Sequence, residues 1–162
     1  MKTTAAKTNA IRILEQKKAV FKVFTYAVTD EVLNGVDVAG VLGLDPETVF
    51  KTLVTYGRSG ANYVFVIPVA KELDLKKAAS AAGEKSIAML KSKDLLGLTG
   101  YIHGGCSPVG MKKLFPTFVD RQAENRSVIS VSGGKIGTHV QLSLDELAKA
   151  VPFQVAELTV DA

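Results

Sequence analysis

Hydrophobic positions along the chain recur every three or four residues near its start, then give way to short apolar runs punctuated by glycine and proline. From Ala5 to Lys17, residues Ala6, Ala10, Ile13, Leu14 and Lys17 share one side of a helical spiral, which predicts an amphipathic helix. Val20–Tyr26 (V-F-K-V-F-T-Y) is rich in β-branched and aromatic residues and predicts a buried or two-sided strand. Val36–Leu44 predicts a short helix ended by Gly43. Asp45-Pro46-Glu47 then offers a cap, a first-turn proline and an early acid for a further turn of helix.

Farther on, Lys51–Tyr56 and Tyr63–Pro68 flank a G-R-S-G turn and predict a β-hairpin. Asp74 caps a predicted helix through Ala82 that Gly83 terminates, and Ser92-Lys93-Asp94 opens another short one. Gly97–Gly110 predicts loop. Ser127–Val131 and Thr138–Leu142 predict strands separated by S-G-G-K-I-G, and Ser143-Leu144-Asp145-Glu146 reads as a capping box for a helix to Ala150. Phe153–Leu158 closes as a strand. Helices thus intersperse with hairpin-linked strands without regular strand–helix alternation, which predicts an α+β fold with a mixed, barrel-like sheet surrounded by helices. No repeat or linker divides the chain, so residues 1–162 are expected to form one domain.

Composition narrows the function classes. The 47% hydrophobic and 22% charged fractions fit a globular core. No apolar run reaches the roughly 18 residues of a membrane helix, and the first residues lack the apolar stretch of a signal peptide. A lone cysteine excludes an internal disulfide. The expected location is therefore the cytoplasm, with no membrane partner. A formal charge of +4 favours an anionic partner such as nucleic acid, though the charge is dispersed rather than gathered in an arm.

Candidate chemistry concentrates in Gly100–Lys113, G-Y-I-H-G-G-C-S-P-V-G-M-K-K. The double glycine Gly104-Gly105 permits positive φ or a close backbone approach, and Pro108 biases Ser107 toward extended backbone. Gly110 then precedes the basic pair Lys112 and Lys113. Such a turn could cradle a phosphate or ribose, or it could be an ordinary loop. Lys51 could hold a phosphate or carboxylate, or snorkel to water from a strand end. Cys106 lies three residues after His103, but without an orienting third group it reads as a small packed side chain rather than a nucleophile. His139, in T-H-V-Q-L, reads as solvated or structurally hydrogen-bonded. No C-x-x-C, H-E-x-x-H, phosphate-loop or G-x-G-x-x-G pattern is present, so neither metal nor cofactor is expected. Ser132-Gly133-Gly134-Lys135 reads as a hairpin connection.

Taken in order, V-F-K-T-L at 49–53, G-G-C-S-P-V-G-x-K-K at 104–113 and V-S-G-G-K-x-G at 131–137 resemble the YbaK/EbsC family. Its members are aminoacyl-tRNA deacylases related to the editing domain of bacterial prolyl-tRNA synthetases. The resemblance runs from the first helix to the last strand. It implies hydrolysis of mischarged tRNA, Cys-tRNA(Pro) above all, by chemistry assisted by the substrate itself. A non-catalytic module holding an acceptor end or nucleotide is the alternative. It implies that Lys51 contacts the phosphate region of the acceptor end. Gly104, Gly105 and Ser107, with Pro108 and Gly110, would form the loop bordering the aminoacyl pocket and supply backbone N–H groups to an oxyanion. Tyr26, Phe50 and Thr52 would line that pocket, and Ser132, Gly133 and Gly134 would form its other rim. The implied partners are the acceptor end of tRNA(Pro) and, transiently, prolyl-tRNA synthetase, with no DNA. Two positions depart from the family pattern: Met111 stands where glutamine is common, and Thr138 where some relatives carry an acid.

Overall fold

A computed structural model describes residues 7–31 and 33–160. Among the described residues five α-helices and eight strands alternate irregularly, as the sequence predicts for an α+β chain. A three-stranded antiparallel sheet holds β1 (Lys22–Thr25), β7 (Thr138–Leu142) and β6 (Ile129–Lys135), with β7 in the centre. A five-stranded mixed sheet runs β4 (Ile87–Met89), β2 (Phe50–Gly57), β3 (Asn62–Pro68), β5 (Thr117–Asp120) and β8 (Gln154–Ala156). Its β2–β3 pair is the predicted hairpin, while β3–β5 and β5–β8 are parallel. An isolated parallel bridge between Val49 and Ser130 joins the two sheets.

Strand β3 explains why the larger sheet must be covered on both faces. After Asn62 and Tyr63 its V-F-V-I-P run is continuously apolar and buried, the composition of a strand with no wet side. Val64 and Val66 enter a core with Phe50, Val54, Val119, Val131, Val140 and Leu147. Phe65 and Ile67 enter a second core with Phe118, Leu158, Ala78 and Ala79. Phe65 and Phe118 stack with centroids 5.4 Å apart. Helix α1 (Asn9–Gln16) brings Ala10, Ile11 and Leu14 to the first core, and α3 (Leu75–Ala82) brings Ala78 and Ala79 to the second. Each such large aliphatic contributes about 1.5–3 kcal/mol through burial.

Helix boundaries follow the capping chemistry closely. Helix α1 begins at Asn9, after its N-cap Thr8 in extended backbone, so Lys7 and Thr8 fall outside the helix predicted from Ala5, and Ala5 and Ala6 lie outside the described residues. Helix α2 (Gly35–Leu42) carries an Asn34–Asp37 capping box and ends at Gly43 in the left-handed region. The Asp45-Pro46-Glu47 turn is a single 3-10 turn. Helix α4 (Ser92–Thr99) takes the first three residues of the predicted Gly97–Gly110 loop, because Gly100 rather than Gly97 supplies its left-handed cap. Helix α5 (Leu144–Ala150) keeps half of its predicted capping box. Ser143 Oγ accepts from Glu146 N–H, but the Glu146 carboxylate is taken by Val20 N–H and Lys149. Strands β4 and β5 go unpredicted because three or four residues are too few to display a period.

The position of β7 has a thermodynamic consequence. His139 faces Phe24 and Ser132 on the neighbouring strands and is only 8% exposed. Burial pushes its pKa from 6.5 down to about 4. Below pH 6.5 the unfolded chain takes up a proton that the folded chain refuses until about pH 4, so the native state loses stability as pH falls through that window. The loss approaches about 3 kcal/mol at its limit, at 1.36 kcal/mol per unit. Urea midpoints measured between pH 4 and 7 are expected to rise with pH more steeply in the wild type than in His139→Gln. Equal slopes would show that His139 is not the group responsible.

Candidate functional site

A cavity of about 620 Å³ lies beside the Val49–Ser130 bridge. Its buried apolar lining comes from Val49, Phe50, Val54, Val69 and Leu95. Residues 26–31 and 33–35, the irregular connection from β1 into α2, supply a second wall. Val28, Met89 and Ile136 bring exposed apolar side chains to it, and His103, Asp30 and Glu31 bring exposed polar ones.

Lys51 is partly buried on this lining, in register with Ile67 across the hairpin. None of the four ion pairs among the described residues uses it. A partly desolvated ammonium without a protein carboxylate is a ready partner for an external anion. The hydroxyl of Thr52 and Nδ1 of His139 share the cavity, are buried, and have no hydrogen-bond partner among the described residues. Buried polar atoms are normally satisfied, so two orphans on one cavity suit a polar ligand.

The Gly104–Gly110 turn meets the cavity at one end only. Gly104 has φ +88° and reaches the lining with Cys106. A Cβ on Gly105 would stand 2.9 Å from Ile136 N and Lys135 Cα, so only glycine lets this turn pass against the β6–β7 turn. The Gly105 N–H is already donated to Ile102 C=O at 3.0 Å, whereas those of Gly104 and Cys106 have no backbone acceptor among the described residues. Burial pushes the Cys106 thiol up to about 12, with a Thr99 hydrogen bond opposing, so it stays protonated at neutral pH.

Of the residues singled out from sequence, Tyr26, Phe50, Lys51, Thr52, Gly104 and Ser132 come together on the cavity. Gly105, Ser107, Pro108, Gly110, Gly133 and Gly134 do not line it. Ser107 is fully buried outside this lining, and its Oγ accepts from Val109 N–H at 3.2 Å. Pro108 and Gly110 face a separate cavity of about 170 Å³, together with Met111 and Lys113. Gly133 and Gly134 pack against Thr138 and against Thr8 and Tyr101, respectively. Lys112 lays its stem over Gly100. Thr138 is buried between β1 and β6, opposite Thr25 and Lys135.

Sequence reading missed three things. His139 is neither solvated nor internally bonded at Nδ1. Its strand buries Thr138, His139 and Val140 in succession, so no alternation marked it. Cys106 packs in the core as expected and yet also borders the cavity. Beyond Tyr26, the connection into α2 carried no motif, since an irregular wall has no period.

Comparison with known proteins accords with this geometry. The aminoacyl-tRNA editing domain family matches residues 29–150. EbsC of Enterococcus faecalis, described as a candidate Cys-tRNA(Pro)/Cys-tRNA(Cys) deacylase, is 46% identical over 98% of this chain and 96% of its own length. A crystal structure described as a candidate trans-editing enzyme for prolyl-tRNA synthetase shares the fold, with a TM-score of 0.82 and 24% identity over 97% of this chain and all of that one. A hypothetical protein of known structure has a TM-score of 0.83 at 23% identity, over 94% of this chain and 99% of its own. The chain belongs to the YbaK/EbsC family of aminoacyl-tRNA editing domains.

Proposed function

We propose that this protein is a trans-editing hydrolase that cleaves the ester between amino acid and ribose on mischarged tRNA, with Cys-tRNA(Pro) as its preferred substrate. The name of the 46% identical EbsC supports the substrate class. The observation that carries the chemistry is one cavity combining an ion-pair-free Lys51, the uncommitted N–H groups of Gly104 and Cys106, and side chains held neutral.

Lys51 binds the phosphate of the terminal nucleotide and so sets the ribose at the cavity. The Gly104 and Cys106 N–H groups receive the negative charge that develops on the ester oxygen when its carbonyl carbon is attacked. Gly105 serves instead by closeness, pressing the turn against the β6–β7 turn. A protonated Cys106 is no nucleophile, and an imidazole titrating near pH 4 is a weak base at neutral pH. The attacking group is therefore water, or the thiol of the substrate cysteine, with the neighbouring ribose hydroxyl relaying its proton to the departing ribose oxygen. The carbon–oxygen ester bond breaks and leaves the tRNA with its free hydroxyl, while the acyl group departs as the free amino acid after attack by water, or as a cyclic thioester that water then opens after attack by the thiol. Thr52 and His139 are left to hydrogen-bond the amino acid. A cavity that sorts by size gains only about 1–3 kcal/mol per methylene, so a polar pair adds discrimination that volume cannot.

A charge of +4 spread over the surface neutralises few phosphates, which suits brief contact with tRNA in the cytoplasm beside prolyl-tRNA synthetase.

Deacylation of Cys-tRNA(Pro), Ala-tRNA(Pro) and Pro-tRNA(Pro) by the purified protein tests the reading, with fastest loss of cysteine expected. Binding of tRNA with no turnover on any of them would instead support an acceptor-end binding module. Lys51→Ala is expected to lower kcat/KM by about 10- to 100-fold with unchanged circular dichroism, the worth of one charge-assisted hydrogen bond. Cys106→Ala is expected to stay within about threefold of wild type, because a residue that acts through its backbone N–H survives loss of its side chain. A loss comparable to that of Lys51→Ala would return the thiol to the mechanism.

A further inference from the structure

Thr8 and Asn9 stand at the start of α1, outside the 620 Å³ cavity, yet both hold glycine turns more than 100 positions away. The hydroxyl of Thr8 donates to Gly133 C=O and accepts from Ile11 N–H at 3.1 Å. The Asn9 amide donates to Gly110 C=O at 2.9 Å. Between them lies the buried Tyr101, whose hydroxyl donates to Val109 C=O. Cβ atoms at Gly134 and Gly110 would meet Thr8 and Tyr101 at 3.1 and 2.8 Å, respectively, so these groups are already in close contact.

The tie through Thr8 reaches the cavity in one step. The peptide unit between Gly133 and Gly134 is planar, with its C=O and N–H pointing in opposite directions. Its C=O is held by Thr8, and its N–H donates at 3.1 Å to Oγ of Ser132, which lines the cavity. Fixing one end of a rigid plane fixes the other. A flanking pair of glycines would otherwise let that plane rotate at little cost.

We infer that Thr8 is a positioning residue: through the Gly133–Gly134 peptide it orients the Ser132 hydroxyl toward the substrate. The inference rests on the deacylase reading above, and assigns to the α1 cap a second role besides helix stability. Thr8→Asp separates the two. Aspartate caps a helix as well as threonine does and suits the positive end of its dipole, but an ionised carboxylate cannot donate to Gly133 C=O. Thr8→Ser keeps both bonds.

The test is steady-state deacylation of Cys-tRNA(Pro) by wild type, Thr8→Ser, Thr8→Asp, Ser132→Ala and the Thr8→Asp/Ser132→Ala double variant. Thr8→Asp is expected to lower kcat by about tenfold with KM within about twofold, the pattern of lost transition-state positioning. Thr8→Ser is expected to match wild type, and Thr8→Asp to cost nothing further once Ser132 is alanine. Unchanged kcat in Thr8→Asp, or a loss that adds in full to that of Ser132→Ala, overturns the inference. If the wild type hydrolyses none of the tRNAs, the deacylase reading falls by itself, and the coupling is judged from the Gly134 amide resonance. That resonance is expected to move in Thr8→Asp and not in Thr8→Ser, and a resonance fixed in both overturns the coupling.

Discussion

The parallel bridge between Val49 and Ser130 is the constraint on which the site depends. The antiparallel sheet and the mixed sheet meet there. Strands that flank it carry part of the cavity lining: Phe50, Lys51 and Thr52 on β2, Ser132 on β6 and His139 on β7. The larger sheet has a core on each face, and the smaller sheet shares one of them. Val54, Val66 and Val119 of the larger sheet share theirs with Val131 and Val140 of the smaller, so the seam is closed by apolar packing as well as by the bridge. The strand-borne side of the cavity consequently rests on packed strands, and the irregular connection into α2 and the Gly104–Cys106 turn complete it.

That shared packing also sets the electrostatics. Burial keeps the Cys106 thiol protonated and the His139 imidazole neutral by the same mechanism acting in opposite directions on an acid and a base. Tyr101, raised to about 12 chiefly by burial and secondarily by Cys106, stays protonated and keeps its bond to Val109 C=O. Lys51 is left as the cation of the lining, in an environment where nearby side chains do not screen it by pairing. Asp30 and Glu31 lie exposed on the far wall, where solvent attenuates their influence.

Much of this was legible in the sequence, for identifiable reasons. Helix boundaries set by local chemistry read well where a cap was recognised: Asp74 and Gly83 bracket α3 and Gly43 ends α2, whereas the Asn34 cap of α2 went unread. The hairpin around G-R-S-G read well because turn residues and apolar runs agreed. Lys51 was legible as a site residue only through its place in an ordered set of motifs, since by itself a strand-end lysine is ambiguous. What could not be read was which side of each glycine turn meets the cavity. Glycine carries no side chain to betray its orientation, and G-G-C-S-P-V-G divides between two cavities, Gly104 and Cys106 on the large one and Pro108 and Gly110 on the small one. His139 was hidden because its strand is buried on both faces, which abolishes the alternation that marks an inward-facing residue.

The glycine-rich motifs therefore serve the site in two ways that one sequence signature conflates. Some of their residues are where a ligand can approach. Others are where the protein approaches itself: Gly105 against Lys135 and Ile136, Gly110 against Asn9 and Tyr101, Gly134 against Thr8. The second group is as intolerant of a Cβ as the first, so intolerance to substitution there would say nothing about contact with substrate. The distinction follows from hydrogen-bond accounting. An N–H already donated within the protein, as at Gly105, shapes the turn, whereas those of Gly104 and Cys106 have no backbone acceptor among the described residues. By that criterion two N–H groups of the motif, on Gly104 and Cys106, are left open beside the large cavity, and the close approach at Gly105 seats the turn that carries them.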